Sequence, residues 1–225
     1  DFALDPRLIP TSRRHPFTQI ETLVPQLHDK HVIIICQKGL KLSQGAAALL
    51  RAYGIKADYL DGGHQAWAAM DGPLILAVNI PDIQNGSTLW VTRHRPKVDR
   101  IACPWLIRRF IDPKAKVMFV QPDQVALVAD RFGATPFDVE GALLGHKDGK
   151  CTFDAMLDHF NLHTNAIDAL ADVVRAADLG KLDESPQAAG LQAASLGLSR
   201  MHKDDQQQLM AGLTLYDAFY RWAGD

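Results

Sequence analysis

The order of strands and helices at the start of the chain is the feature that most restricts its fold. An apolar strand at residues 31–36 (HVIIIC) leads through a short loop into the helix SQGAAALLRAYG, and a second strand, ADYLDG, follows. A short apolar segment, FALD, and the helical TQIETLVPQL precede them. Alternating strands and helices form a parallel sheet flanked by helices, so residues 1–77 are predicted to be an α/β domain.

A second domain is predicted after a break in this pattern at residues 78–88. That segment, VNIPDIQNGST, is rich in turn-forming residues and has little periodicity, which is typical of a linker. The strands LWVTRH and KVMFV and the helix PDQVALVADRF follow, and the later apolar spacing is helical. Residues 89–225 are therefore predicted to form an α+β, mostly helical domain.

Composition limits the classes of function. The formal net charge is −2, so DNA binding is disfavoured unless a local basic patch supports it. No apolar run approaches the roughly 20 residues that span a bilayer, and the first residues lack the pattern of a signal peptide. Three widely spaced cysteines predict reduced thiols rather than disulfides. We therefore expect a soluble, cytoplasmic protein without a membrane partner.

Cys36 lies where local structure can activate a thiol. Gly39 lets the loop expose its backbone amides, Lys38 and Lys41 add positive charge, and the following helix presents its N-terminus. These features lower the pKa of a thiol and stabilise an anionic sulfur. The alternative interpretation is that Cys36 is a buried apolar residue at the end of a strand.

Two motifs in this region resemble the rhodanese-like family. They are Cys-x-x-Gly-x-basic, here CQKGLKLS, and Leu-x-Gly-Gly-x-x-x-Trp, here LDGGHQAW. The resemblance implies that Cys36 takes a sulfane sulfur from a small-molecule donor as a persulfide and passes it to a thiol or cyanide-like acceptor. Five residues of the loop would surround the persulfide with their amides: Gln37, Lys38, Gly39, Leu40 and Lys41.

The chain departs from the rhodanese-like pattern in two places. The GHIPGA segment common in the family is absent, and LDPR at residues 4–7 only partly matches the Asp-x-Arg ending of the first strand. Members of the family that lack activity serve as binding modules, and this is the alternative to catalysis.

Residues 92–113 combine many arginines with a second cysteine, Cys103. Such density of positive charge suits an oxyanion or a phosphate, while the alternative is a solvated face whose guanidinium groups are bridged to carboxylates downstream. Pro104 either starts a helix with Cys103 at its N-cap or kinks one helix that buries Cys103. Arg100, Cys103 and Arg108 are the resulting candidates for an anion or redox site.

The segment GHKDGKCTFDAMLDHF gathers potential metal ligands within a short span of sequence. His146 arrives from a loop, and Cys151 and Asp154 lie three residues apart at the start of a helix. Paired spacings such as Cys-x-x-Cys are missing, so simple capping of the helix by Asp154 is the alternative to a metal site.

Several stretches from about residue 89 onward resemble the C-terminal domain of the chromate-resistance family ChrB. They include TRHRPKVDRIACPWLIRRFIDP, GATPFDVEGALLGHKDGKCTFDAML, VVRAAD and DESPQAAGLQAASLGLS. The family's motif positions fall on Arg100, Cys103, Trp105, Arg108, Asp138, His146, Cys151, Asp154, Arg175 and Asp178.

The polar members of that set are expected to form one site. Either His146, Asp154 and Asp178 hold a single metal ion, or the arginines form a pocket for chromate or another oxyanion. A surface ion pair between Arg175 and Asp178 is the alternative for that helix. The two resemblances together predict a sulfurtransferase coupled to a chromate-resistance domain, and the alternative is a non-catalytic sensor of an oxyanion or a metal.

Overall fold

The computed structural model describes residues 2–224 and divides the chain into two compact units. The division falls between Leu74 and Ile75. Residues 78–88, which we predicted to be a linker, belong to the second unit. No helix among the described residues is both long enough and apolar enough to cross a membrane.

The first unit has the alternating strand and helix order that the sequence predicts. Strands β2 and β3 pair in parallel, with His31 opposite Lys56 and Ile34 opposite Tyr59. The segment FALD is not a strand, because residues 2–4 form a turn and the first strand starts later. In chain order the elements are β1 (Arg7–Leu8), a 3-10 helix (Phe17–Leu23), α1 (Val24–Leu27), β2 (His31–Ile34), α2 (Lys41–Ala52), β3 (Lys56–Tyr59) and α3 (Gly63–Ala69).

Helix α2 carries the core of the first unit. Its small residues Ala46 and Ala47 are buried, which lets the helix lie close to the two strands. Leu50 of the same helix packs with Ile55 and Ala57. Helix α2 ends at Ala52, two residues before Gly54, whose φ of +80° is the left-handed conformation expected at this helix end.

The second unit contains a three-stranded parallel sheet followed by helices. Strand β5 is central, with β6 on one side and β7 on the other. The elements are β4 (Ile75–Leu76), a 3-10 helix (Ala77–Asn79), β5 (Leu89–Arg93), α4 (Val98–Leu106), a π-helix (Ile107–Ile111), β6 (Lys116–Val120), a 3-10 helix (Pro122–Gln124), α5 (Val125–Phe132), β7 (Thr135–Pro136), α6 (Thr152–Phe160), α7 (Asn165–Asp178), α8 (Ala188–Met201) and α9 (Asp205–Ala223).

Helix α4 is the buried centre of the second unit. Every residue from Val98 to Leu106 except Arg100 is buried. Trp105 is fully buried and its ring lies 6.3 Å from that of Phe153 on α6 and 6.4 Å from that of Tyr216 on α9. Because other elements pack against α4 on several sides, its sequence, VDRIACPWL, is apolar almost throughout.

Pro104 does not start a helix. Helix α4 runs through it and continues directly into the π-helix, whose wider turn commonly appears where the regular hydrogen-bond ladder is interrupted. Of the two alternatives for this segment, the single helix that buries Cys103 is confirmed, and the N-cap position for Cys103 is wrong.

Candidate functional site

Cys36 lies in the loop between β2 and α2. Strand β2 ends at Ile34, and the chain then turns through the loop so that α2 begins at Lys41. The Sγ atom of Cys36 is 3.1 Å from the hydroxyl of Ser43, in the first turn of α2. The thiol is partly exposed, so a small molecule can reach it.

The surroundings of Cys36 favour the thiolate. Burial opposes ionisation, but the Ser43 hydroxyl and the backbone amides of Lys38, Ser43 and Leu40 donate to the sulfur and together lower its pKa to about 7. The amide donors are the physical basis of the predicted activation. Near neutral pH a large share of Cys36 is therefore the nucleophilic form.

The glycine pair of the second motif, Gly62 and Gly63, contacts the backbone of the Cys36 loop. Gly63, with φ of +59°, approaches so closely that a Cβ atom there would collide with the Cys36 carbonyl oxygen. The His64 and Gln65 amides, in the first turn of α3, donate to the Cys36 and Gln37 carbonyls at 3.0 Å. The two sequence motifs thus form one structure, in which the Gly-Gly turn holds the cysteine loop in shape.

Gly39, on the Cys36 side of this contact, must also be a glycine. Its φ is +65°, and a Cβ atom would lie 2.5 Å from the Leu60 carbonyl oxygen and 2.6 Å from the Gly62 nitrogen. Neither space nor backbone conformation admits a side chain at this position.

The rim of the Cys36 loop is both cationic and apolar. Lys38 and Lys41 are exposed, and so are the apolar side chains of Leu40 and Leu42. Lysines at this rim add positive potential where an anionic sulfur donor would approach, and Lys38 also lowers the pKa of Cys36 through its backbone amide.

The partial Asp-x-Arg match forms a local ion pair. Arg7 binds both carboxylate oxygens of Asp5, at 2.8 and 2.9 Å. The guanidinium of Arg7, opposed by partial burial, lowers the pKa of Asp5 to about 2. The pair therefore stays charged throughout the neutral range and stabilises the first strand region.

The second unit contains a separate group of charged side chains centred on His146. Its Nε2 atom lies 3.3 Å from Asp99 Oδ2, 3.3 Å from Asp138 Oδ1 and 3.2 Å from Asp178 Oδ2. Asp99 comes from α4, Asp138 from the segment after β7, and Asp178 from the end of α7. Asp99 and Asp138 are buried, whereas 42% of the His146 side chain is exposed. We call these four residues the His146 cluster.

Burial and charge perturb the pKa values in this cluster. Hydrogen bonding to Asp99, opposed by burial and reinforced by the charges of Asp99, Asp178 and Asp138, raises the pKa of His146 to about 9. Burial and the neighbouring charge of Asp99 raise the pKa of Asp178. The protein thus holds several carboxylates close to one another with an imidazole between them.

Asp154 is absent from the His146 cluster, which corrects one member of the predicted metal set. Arg175 binds both of its carboxylate oxygens, at 2.9 and 3.0 Å, and the carboxylate also accepts from the Cys151 amide at 3.0 Å. Asp154 therefore caps α6, as the alternative interpretation held. The expected pair between Arg175 and Asp178 is wrong as well, because Arg175 pairs with Asp154 and Asp172.

The arginines of residues 92–113 mostly have carboxylate partners, as the alternative to an anion site predicted. Arg93 and Arg100 both bind Asp138, at 2.8 and 3.0 Å, and Arg109 binds Asp217. Arg108 has no carboxylate among its ion-pair contacts within the described residues and donates to the Ala115 carbonyl. The structure therefore does not gather Arg100 and Arg108 into one anion pocket.

Cys103 and Cys151 lack the features that activate Cys36. Both are fully buried, and burial together with the negative charge of Asp99 raises the pKa of each thiol. At neutral pH both remain protonated. Of the three cysteines, Cys36 alone is both partly exposed and ionised near neutral pH.

Sequence reasoning did not propose Asp99 as a site residue. The available signal was its position in α4, where an aspartate stands within a largely apolar helix. A buried carboxylate requires strong partners, which Asp99 finds in the amides of Thr152 and Phe153 at 2.7 and 2.9 Å. Its nearness to His146 and Asp178 depends on how the helices pack.

A parallel α/β unit with an ionised cysteine at the end of a strand is the arrangement of a rhodanese-type domain. Residues 7–70 match the family model of the rhodanese-like domain. Residues 90–223, more than half of the chain, match the model described as ChrB, C-terminal domain. The chain belongs to the family of the ChrB C-terminal domain, and its first unit matches the rhodanese-like domain.

One curated relative is Protein ChrB of Cupriavidus metallidurans. It is 33% identical to this chain over 135 residues, which are 58% of this chain and 40% of that protein. The match thus spans less than half the length of the relative. No solved structure matches the chain.

Proposed function

We propose that the first unit is a sulfurtransferase whose nucleophile is Cys36. The proposal rests on the groups that contact the Cys36 sulfur. These are the Ser43 hydroxyl at 3.1 Å and the backbone amides of the loop, which lower the pKa of Cys36 to about 7. A thiolate held by fixed donors in a partly exposed loop can attack a small sulfur donor without rearrangement.

The reaction has two displacement steps. The Cys36 thiolate attacks the outer sulfur of a donor such as thiosulfate, the new S–S bond forms, and sulfite leaves with the electron pair of the broken bond. The product is a Cys36 persulfide with its negative charge on the terminal sulfur. A thiolate or cyanide then attacks that terminal sulfur and releases Cys36 as the thiolate, so atoms and electrons balance.

The loop stabilises the charged persulfide by the same means as the thiolate. Amides that converge on the Cys36 sulfur are a preformed site for anionic sulfur, and exposed Lys38 and Lys41 attract anionic donors. Coupled to a ChrB domain, this activity would link the transfer of reducing sulfur to resistance against an oxidant.

The test is sulfur transfer from thiosulfate to cyanide by the parent protein and by Cys36→Ser. We expect activity in the parent and none in the variant. Incubation with thiosulfate alone should add the mass of one sulfur atom, and peptide mapping should place it on Cys36 rather than on buried Cys103 or Cys151. An inert parent that never gains sulfur, tested with both thiosulfate and an organic persulfide donor, would refute the proposal.

A further inference from the structure

The His146 cluster lies in the second unit and plays no part in the proposed sulfur transfer. One imidazole nitrogen faces three carboxylate oxygens there, at 3.2 to 3.3 Å. A ring nitrogen carries one proton, and a charged N–H···O bond is normally about 2.7–2.9 Å long. The single Nε2 proton can donate fully to only one of the three oxygens, so hydrogen bonding alone does not satisfy all three carboxylates.

The spacing fits ligands around a metal ion. Zinc binds imidazole nitrogen and carboxylate oxygen at about 2.0–2.2 Å, so neighbouring ligands of a tetrahedral site are about 3.3 Å apart. The three N···O separations around His146 have this value. The donor atoms of Asp99, His146 and Asp178 also all lie within 4.8 Å of one another.

Other contacts hold the carboxylates in place around this centre. Arg93 and Arg100 bind the Oδ2 atom of Asp138, and its Oδ1 atom, which faces His146, also accepts from the Thr152 hydroxyl at 3.2 Å. The Phe153 amide, at the N-terminus of α6, binds the Oδ1 atom of Asp99. Outer contacts of this kind orient the ligands in metal sites.

His146, at the centre of the cluster, is the ion-pair partner of both Asp99 and Asp178. Within the described part of the chain, no arginine or lysine lies within ion-pair distance of either one, and both pair with His146. Asp99 is 1% exposed, so its charge is shielded from water. A divalent cation among these groups would be a stronger partner than one shared imidazolium.

We propose that Asp99, His146 and Asp178 form a binding site for one divalent transition-metal ion of the zinc type. One imidazole with carboxylates is a donor set that suits zinc, manganese or ferrous iron better than magnesium or calcium. The half-exposed His146 provides the route of entry. The site is independent of Cys36, so either proposal can fail alone.

The experiment measures metal binding by untagged full-length protein that has first been dialysed against a chelator. We expect about one equivalent of Zn²⁺ by equilibrium dialysis and elemental analysis, and Co²⁺ in its place should give the intense visible absorption of a tetrahedral site. His146→Gln and Asp178→Asn should each weaken binding by more than the roughly 10- to 100-fold typical of losing an outer contact.

His163→Gln is the matched control. His163 also contacts two carboxylates, Asp158 at 3.3 Å and Asp168 at 2.8 Å, but all three side chains are about half exposed. This variant should bind Zn²⁺ as the parent does. Thermal unfolding and circular dichroism check that each variant is folded. Binding that is absent in the parent, or equal in the parent, His146→Gln and Asp178→Asn, would overturn the assignment.

Discussion

Replacing Ser43 by alanine tests how the structure activates Cys36. The variant removes a hydroxyl 3.1 Å from the thiol and keeps the loop amides. Ser43 is buried in the first turn of α2, where alanine fits and favours the helix, so the fold should persist. The change therefore isolates a single hydrogen bond to sulfur.

The size of the effect follows from that bond. A hydrogen bond to a charged group is worth about 1.5–3 kcal/mol, and one pKa unit corresponds to about 1.36 kcal/mol. The pKa of Cys36 should therefore rise from about 7 by roughly one to two units. At pH 7 the thiolate share falls from about one half to about 1–10%.

Nucleophilicity changes in the opposite direction. A thiolate of higher pKa attacks disulfides faster, with a Brønsted coefficient of about 0.4–0.5, so each Ser43→Ala thiolate gains roughly three- to eightfold in rate. The variant should react with dipyridyl disulfide about two- to sixfold more slowly at pH 7 and faster than the parent well above the raised pKa. The two pH–rate curves should cross.

The assay is the pH dependence of that reaction, followed spectroscopically, with Cys36→Ser as the blank. Ser43 also lies 3.2 Å from the Leu40 carbonyl, to which its single proton can be donated instead. Superimposable curves for the parent and Ser43→Ala would show that the proton stays on Leu40, and the account of the pKa given above would be wrong.

Two further predictions concern stability. Gly63→Ala should unfold the first unit at lower temperature and reduce Cys36 reactivity, because its Cβ would meet the Cys36 carbonyl and its φ is +59°. We expect a loss of at least about 1–3 kcal/mol, measured by denaturant unfolding. Arg175→Gln should destabilise the second unit by about 1–3 kcal/mol, because it leaves the buried Asp154 carboxylate without its cation.

Each of these variants has a control of the same chemical type. Gly45→Ala lies on α2 with nothing within 4 Å of the new Cβ and should be neutral or stabilising by up to about 1 kcal/mol. Lys150→Gln removes an exposed ion pair with Asp158 and should leave the unfolding midpoint nearly unchanged. Equal effects of Gly63→Ala and Gly45→Ala, or of Arg175→Gln and Lys150→Gln, would contradict the contacts described.

The structure also changes the interpretation of the arginine-rich segment. Arg93 and Arg100 both pair with Asp138, and Arg109 pairs with Asp217. Their positive charge is thus largely neutralised by carboxylates of the protein, and their role in the second unit is to position those carboxylates.

The sequence by itself determined the features that depend on near neighbours. Strand, loop and helix around Cys36 follow from residues 31–54, and the Gly-Gly turn follows from the positive φ that Gly62 and Gly63 adopt. The match to the rhodanese-like domain covers residues 7–70, which contain both of these motifs. Such motifs span only a few neighbouring residues, so they can be recognised in the sequence without knowledge of the fold.

Only the tertiary structure decided the composition of the His146 cluster. Asp99 and Asp178 are 79 positions apart, and the packing of α4 against α7 brings them together. The packing of α6 against α7 likewise explains why Asp154, close to His146 in sequence, binds Arg175 instead. Which carboxylates converge depends on the angles at which buried helices pack, and side chains such as Trp105, which packs against Phe153 on α6 and Tyr216 on α9, help to set those angles.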